Sequence, residues 1–129
     1  MSGSILIVDD EKGQREILTM ILQGVGYDTA EASGVPEALA LLGKREFDLV
    51  LTDLKMQGQS GLDLLEQVMA DDPQQCVIMM TAHGTVDSAV GAMKRGAFDY
   101  LEKPLERENL LLTLKRAFER ITLVRENRV

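Results

Sequence analysis

Ile5-Leu6-Ile7-Val8-Asp9-Asp10 is a short apolar run that stops on two acids. The pattern recurs down the chain. Leu49-Val50-Leu51-Thr52 runs into Asp53, Val77-Ile78-Met79-Met80 into Thr81, and Tyr100-Leu101-Glu102 into Lys103. Continuous apolar runs of this length suit strands covered on both faces. If they are parallel strands of one sheet, three carboxylates, a hydroxyl and an ammonium converge on one edge of it. In open α/β sheets the ligand site lies outside the carboxyl ends of the strands.

Between the runs lie segments of helical period. Ile17, Leu18, Ile21 and Leu22 recur at helical spacing within 12–24, and Gly24 and Gly26 supply a stop. Residues 27–32 alternate weakly and read as an outer strand. Ser33 is placed to cap a helix over 35–44, with Pro36 in its first turn. The third strand is expected at 47–52, followed by a loop over 57–61. A helix marked by Leu62, Leu65 and Val68 ends at Asp71-Asp72-Pro73. The remaining elements are a strand at 77–81, a helix at 85–95 closed by Gly96, a strand at 98–102 and a helix from about Glu106. Strict alternation of strand and helix predicts an α/β fold: a doubly wound parallel sheet with right-handed crossovers and helices on both faces.

The chain has 129 residues, 45% hydrophobic and 27% charged, which reads as one globular domain. No apolar run approaches the roughly 20 residues needed to span a bilayer, and Met1-Ser2-Gly3 has no basic lead-in to a secretory signal. The single cysteine, Cys76, opens an apolar run, where it reads as a buried cysteine, and excludes an intramolecular disulfide. Together these features predict a cytoplasmic protein. Residues 1–102 carry 7 Lys+Arg against 17 Asp+Glu, whereas residues 103–129 carry 7 against 4. So acidic a body argues against direct contact with nucleic acid or an anionic membrane.

The last helix outruns the domain. Leu110, Leu114, Ala117, Ile121 and Val124 follow a 4-3-4-3 spacing. Up to Ala117 the stripe reads as core-facing. Beyond Phe118 no sequence remains for it to pack over, so residues 119–129 read either as an extension that pairs with another subunit or as a linker to a missing output domain.

The chemistry follows from residue types. An acidic pair after a strand is ordinarily a helix N-cap, and Asp9-Asp10 alone would be read so. Three converging carboxylates repel one another, and Mg²⁺ offsets that repulsion while leaving room for water and phosphate oxygens. A carboxylate can itself accept a phosphoryl group. Asp53 is the candidate nucleophile, with Lys103 to neutralise developing charge and Thr81 to donate to a phosphoryl oxygen. His83 is read as a loop residue beside the site without a catalytic role. The Lys103-Pro104 bond is predicted to be cis, aiming the ammonium back over the strand ends.

With these residues assembled, the chain resembles a bacterial response-regulator receiver domain over about residues 4–118. The matching stretches are Ile7-Val8-Asp9-Asp10-Glu11, Leu51-Thr52-Asp53-Leu54-Lys55-Met56, Met80-Thr81-Ala82 and residues 96–104, from Gly96 to Pro104. The resemblance implies a five-stranded sheet of order 2-1-3-4-5. It also implies that Asp53 is phosphorylated by a sensor histidine kinase. Mg²⁺ would be held by Asp10, Asp53 and the Lys55 main-chain carbonyl, with Asp9 acting through a water. Thr81, Lys103 and Tyr100 would form the switch. The stretch from Thr81 to Lys103 looks most like receivers of sigma-54-dependent, NtrC-like transcription activators. Gln57 departs from the family pattern, which usually has proline there.

A phosphoryl group on Asp53 would draw Thr81 toward it and let Tyr100 turn inward. That movement would change the face of the fourth helix, fifth strand and fifth helix, where a homodimer is expected. The alternative is a stand-alone phosphorelay shuttle. An aspartyl-phosphate hydrolase would want an acid two residues after the nucleophile, where this chain has Lys55. Neither reading makes the domain an enzyme beyond Mg²⁺-dependent self-phosphorylation and slow autodephosphorylation.

Overall fold

A computed structural model of the chain describes residues 2–82 and 86–127. Among them, five strands and five helices alternate: β1 (Ser4–Val8), α1 (Lys12–Gly24), β2 (Asp28–Ala32), α2 (Val35–Lys44), β3 (Leu49–Asp53), α3 (Gly61–Asp71), β4 (Cys76–Thr81), α4 (Val86–Lys94), β5 (Asp99–Glu102) and α5 (Arg107–Glu126). The strands form one parallel sheet in the order β2-β1-β3-β4-β5, which leaves β2 and β5 as its open edges.

The central strands are apolar throughout because both of their faces are covered. Successive side chains point to opposite sides of a strand, so each central strand feeds two cores. Ile5, Ile7, Leu49, Leu51, Ile78 and Met80 pack with Leu18 and Leu22 of α1 and Leu110, Leu114 and Ala117 of α5. Leu6, Val8, Val50, Val77 and Met79 pack with α2, α3 and α4 through Ala38, Leu64, Leu65, Val68 and Ala92. Cys76 is buried at the start of β4, and burial pushes its thiol up to about 12.

Several local expectations shift. Ser33 does not cap α2: the N-cap is Gly34, and the Ser33 hydroxyl donates to the Glu37 carboxylate instead. The loop after β3 ends one residue early, since Gly61 already belongs to α3. That helix is capped by Ser60 in a reciprocal pair with Asp63, a device the sequence reading missed. Asp53 and Cys76 lie inside their strands, while β2 and β5 each begin one residue later than predicted.

The largest correction concerns α5. Ile121 lies three residues past Phe118, yet it is only 8% exposed and belongs to the core shared with α1. Residues beyond Phe118 therefore do pack on this domain. Phe118 itself stacks on Tyr27, ring centroids 5.1 Å apart. Arg125 reaches the carboxylate of Asp48 just before β3. Asp48 also accepts from the main-chain N–H of Ser4 at 2.7 Å, so the start of β1 and the end of α5 meet on one side chain.

Candidate functional site

Asp9 follows β1 and Asp53 closes β3, neighbouring strands in register from Ile5↔Leu49 to Val8↔Thr52. That register brings residues 44 positions apart to one edge. Asp9 is fully buried and Asp53 only 6% exposed, whereas Asp10 is exposed. Oxygens of Asp9, Asp10 and Asp53 all lie within 4.8 Å of one another.

Neither acid of the Asp9-Asp10 pair caps α1. Its N-cap is Glu11, whose side chain makes no capping bond. Asp9 Oδ1 accepts from the Glu11 main-chain N–H at 3.0 Å, and Asp10 Oδ2 accepts from that of Gln57 at 3.1 Å. Gln57, the residue that departs from the family pattern, thereby gives the loop a link to the acidic cluster. Proline could not make this link, because it has no N–H.

Lys103 enters from the far side of the sheet. Its main-chain N–H donates to the Thr81 carbonyl at 2.7 Å, and its peptide to Pro104 is cis. Its ammonium donates to Asp9 Oδ2 at 2.9 Å and to Asp53 Oδ2 at 3.2 Å. One cation thus serves two buried acids. Burial raises the Asp53 carboxyl above the ordinary range and Asp9 adds to the rise, against the opposing pull of Lys103 and the Lys55 main-chain N–H. For Lys103, burial works against the charge, but Asp9 and Asp53 outweigh it and raise the ammonium's pKa.

The residue set suits a hard divalent cation, since every donor is an oxygen and exposed Asp10 leaves an approach from solvent. Three acids against one ammonium also leave the cluster with excess negative charge. Lys55 sits in the loop after β3, bridged to Ser60.

Thr81 ends β4 and is buried, 6% exposed. Tyr100 is not in the cluster. It lies opposite Met79 on β5, 37% exposed, and lines a groove of about 440 Å³ with Ala89, Val90, Met93 and Lys94 of α4. His83 lies outside the described residues.

Sequence reading missed Gly61. A Cβ there would lie 2.2 Å from the Asp53 carbonyl oxygen and 2.8 Å from Met79 Cε. Its own N–H donates to the Leu54 carbonyl at 2.7 Å. The N-terminus of α3 is thus pressed against the strand end that carries Asp53, and only a residue without a side chain fits.

The response regulator receiver domain model matches residues 5–115. The chain belongs to that family. This receiver domain is 46% identical over 101 residues to the response regulator protein PilR of Pseudomonas aeruginosa, covering 78% of this chain and 23% of PilR. It is 38% identical over 130 residues to the nitrogen assimilation regulatory protein NtrX of Azorhizobium caulinodans, covering 99% of this chain and 29% of that protein. These relatives are NtrC-like regulators, the group that the stretch from Thr81 to Lys103 resembles. The crystal structure of NtrX from Brucella abortus superposes with a TM-score of 0.92 at 38% identity, over 98% of this receiver and 29% of that chain. The beryllofluoride-activated NtrC4 receiver domain dimer superposes with a TM-score of 0.87 at 36% identity, over 92% and 98%. This receiver spans about a quarter of the length of the relatives it matches. It is a signalling domain of two-component response regulators, and no helix among its described residues is long and apolar enough to cross a membrane.

Proposed function

We propose that Asp53 accepts a phosphoryl group from a sensor histidine kinase, and that phosphorylation changes the face formed by α4, β5 and α5 to control dimerisation and transcriptional output. The observation that carries this reading is the convergence of Asp9, Asp10 and Asp53 within 4.8 Å, with Lys103 bonded to two of them.

Asp10 and Asp53, with the Lys55 main-chain carbonyl, would hold Mg²⁺, and Asp9 would act through a water. Bound there, the ion would supply charge neutralisation for phosphoryl oxygens. A carboxylate oxygen of Asp53 attacks the phosphorus of a phosphohistidine, the P–N bond breaks, and the imidazole departs. Lys103 already lies 3.2 Å from Asp53 Oδ2. It shifts from pairing with a carboxylate to pairing with the incoming equatorial oxygens. Phosphoryl transfer asks mainly for positioning and electrostatics from the protein, so this small set suffices.

The new group brings about −1.5 to −2 charges and three acceptor oxygens. Thr81 donates its hydroxyl to one of them, and the space it leaves admits Tyr100, now at the surface beside the α4 groove. Reversing a 1:99 equilibrium takes about 5.5 kcal/mol, and one hydrogen bond to a charged group gives about 1.5–3 kcal/mol. Thr81 therefore shifts the balance only in part, and Lys103 and dimer contacts supply the remainder. Acting beside a kinase and an output domain, the receiver would work in the cytoplasm. Residues 119–129 would lead toward that output domain in a longer chain.

The test is Asp53→Asn. Incubated with acetyl phosphate and Mg²⁺, the wild type should take up label stoichiometrically and the variant none, as read by intact mass. Stoichiometric labelling of the variant would overturn the assignment of the nucleophile.

A further inference from the structure

Arg15, on the first turns of α1, is a half-buried cation that the proposed mechanism does not use. Its side chain is only 15% exposed. Nη1 donates to the main-chain carbonyl of Asp9 at 2.6 Å. Nε lies 3.3 Å from Glu31 Oε1 on β2, yet it is buried and makes no hydrogen bond of good geometry among the described residues. A buried charge held this way is weak evidence for a stabilising role, so what it touches matters more than what it adds to folding.

What it touches is the backbone of the residue that starts the acidic cluster. Four contacts fix Asp9. Its N–H donates to the Ala32 carbonyl of β2 at 3.1 Å, its Oδ1 accepts from Glu11 N–H at 3.0 Å, its Oδ2 accepts from the Lys103 ammonium at 2.9 Å, and its carbonyl accepts from Arg15. The first three act on the amide and the side chain. Among the described residues, Arg15 alone bonds to the peptide joining Asp9 to Asp10, and the direction of that peptide plane sets where the Asp10 carboxylate is presented.

Resting on the metal reading above, we infer that Arg15, braced by Glu31, is a positioning residue that orients the Asp9–Asp10 peptide for cation binding. Groups that hold metal ligands from behind typically change metal affinity by about 10–100-fold when removed. Because the guanidinium bonds the Asp9 carbonyl and no carboxylate of the acidic cluster, its effect should fall on the cation affinity and leave the phosphoryl chemistry intact.

The experiment titrates Mg²⁺ into this chain by calorimetry, without phosphodonor, for the wild type, Arg15→Ala, Arg15→Lys and Glu31→Gln. Labelling by acetyl phosphate is then measured at low and at saturating Mg²⁺. Arg15→Ala should weaken Mg²⁺ binding about tenfold while its labelling rate at saturating Mg²⁺ returns to within about twofold of wild type. Arg15→Lys, which keeps a donor for the carbonyl, should recover part of the affinity. Glu31→Gln, which is isosteric, should weaken binding less than Arg15→Ala, and a thermal melt in EDTA verifies that each variant is folded. A wild type that binds Mg²⁺ beside an equally tight Arg15→Ala overturns the inference alone. So does a folded Arg15→Ala whose labelling stays depressed at saturating Mg²⁺. A wild type that binds no Mg²⁺ overturns the metal reading and this inference together.

Discussion

At the scale of single residues, the site is a contest for one ammonium. Lys103 is 14% exposed at the side chain and donates to Asp9 and Asp53, two acids more buried than itself. Removing one partner of a buried ionic contact typically costs about 3–5 kcal/mol. Lys103→Ala should therefore lower the stability of the metal-free domain by about 3 kcal/mol, and Mg²⁺ should restore much of it. Labelling should persist in the variant while the phosphate-dependent change in size is lost, and urea melts with and without Mg²⁺ plus a sizing column read both. Gly61 makes the opposite kind of demand. Adding a methyl 2.2 Å from the Asp53 carbonyl oxygen forces α3 or the strand end to move, so Gly61→Ala should cost about 3 kcal/mol. An unchanged urea midpoint would mean that the helix can slide away freely. The two residues also differ in how readable they were. Asp9, Asp53, Thr81 and Lys103 each stop an apolar run, and a parallel sheet must gather such positions. Gly61 follows no run and carries no chemistry. The need for it arises from the distance between a helix start and a strand end, which no spacing within the sequence encodes.

At the scale of elements, periodicity told which face of a helix is apolar but not what lies opposite. The stripe of Leu110, Leu114, Ala117 and Ile121 was visible as a seam, and it is the buried face of α5. What the seam could not disclose is that this face stays covered as far as Ile121, because the core it joins is built from α1 and strands far earlier in the chain. The link from Arg125 to Asp48 spans 77 residues and is equally silent in the sequence. It has a measurable consequence. Burial alone would raise the Asp48 carboxyl, but the hydrogen bonds from Arg125 and Ser4 outweigh it and hold the group below its ordinary value. A depressed carboxylate contributes stability that is fully present above the unfolded value of about 3.9 and lost as pH falls through the folded one. Wild type should therefore lose stability below about pH 4 more steeply than Asp48→Asn, as followed by urea midpoints along a pH series. Parallel curves for the two proteins would show that this contact does not couple to protonation. Capping shows the same limit on a smaller scale, since both Ser33 and Ser60 are plausible caps by type, and only Ser60 has its reciprocal partner, Asp63, at the right position.

At the scale of the whole molecule, one end of the sheet holds the acids and one flank gathers three exposed apolar side chains around a groove. Val90 is 43% exposed, Met93 45% and Tyr100 37%, and all three border the groove between α4 and β5. If that flank is where two phosphorylated copies meet, Val90→Asp should leave labelling at the wild-type level while abolishing the phosphate-dependent shift on a sizing column. An undiminished shift would move the interface elsewhere. Strand order was legible only through resemblance, because alternation of strand and helix fixes parallel pairing but leaves the sequence of neighbours open. The rims of the sheet carry a last implication. The outer strand β2 bears Asp28 and Glu31, and β5 bears Asp99 and Glu102. Asp28, Glu31 and Asp99 are ion-paired with Arg45, Arg15 and Arg116, so charged side chains of both signs line the rims, and such edges oppose backbone-to-backbone growth into filaments. Contact through helical flanks, which can part again when the signal decays, stays open to the molecule.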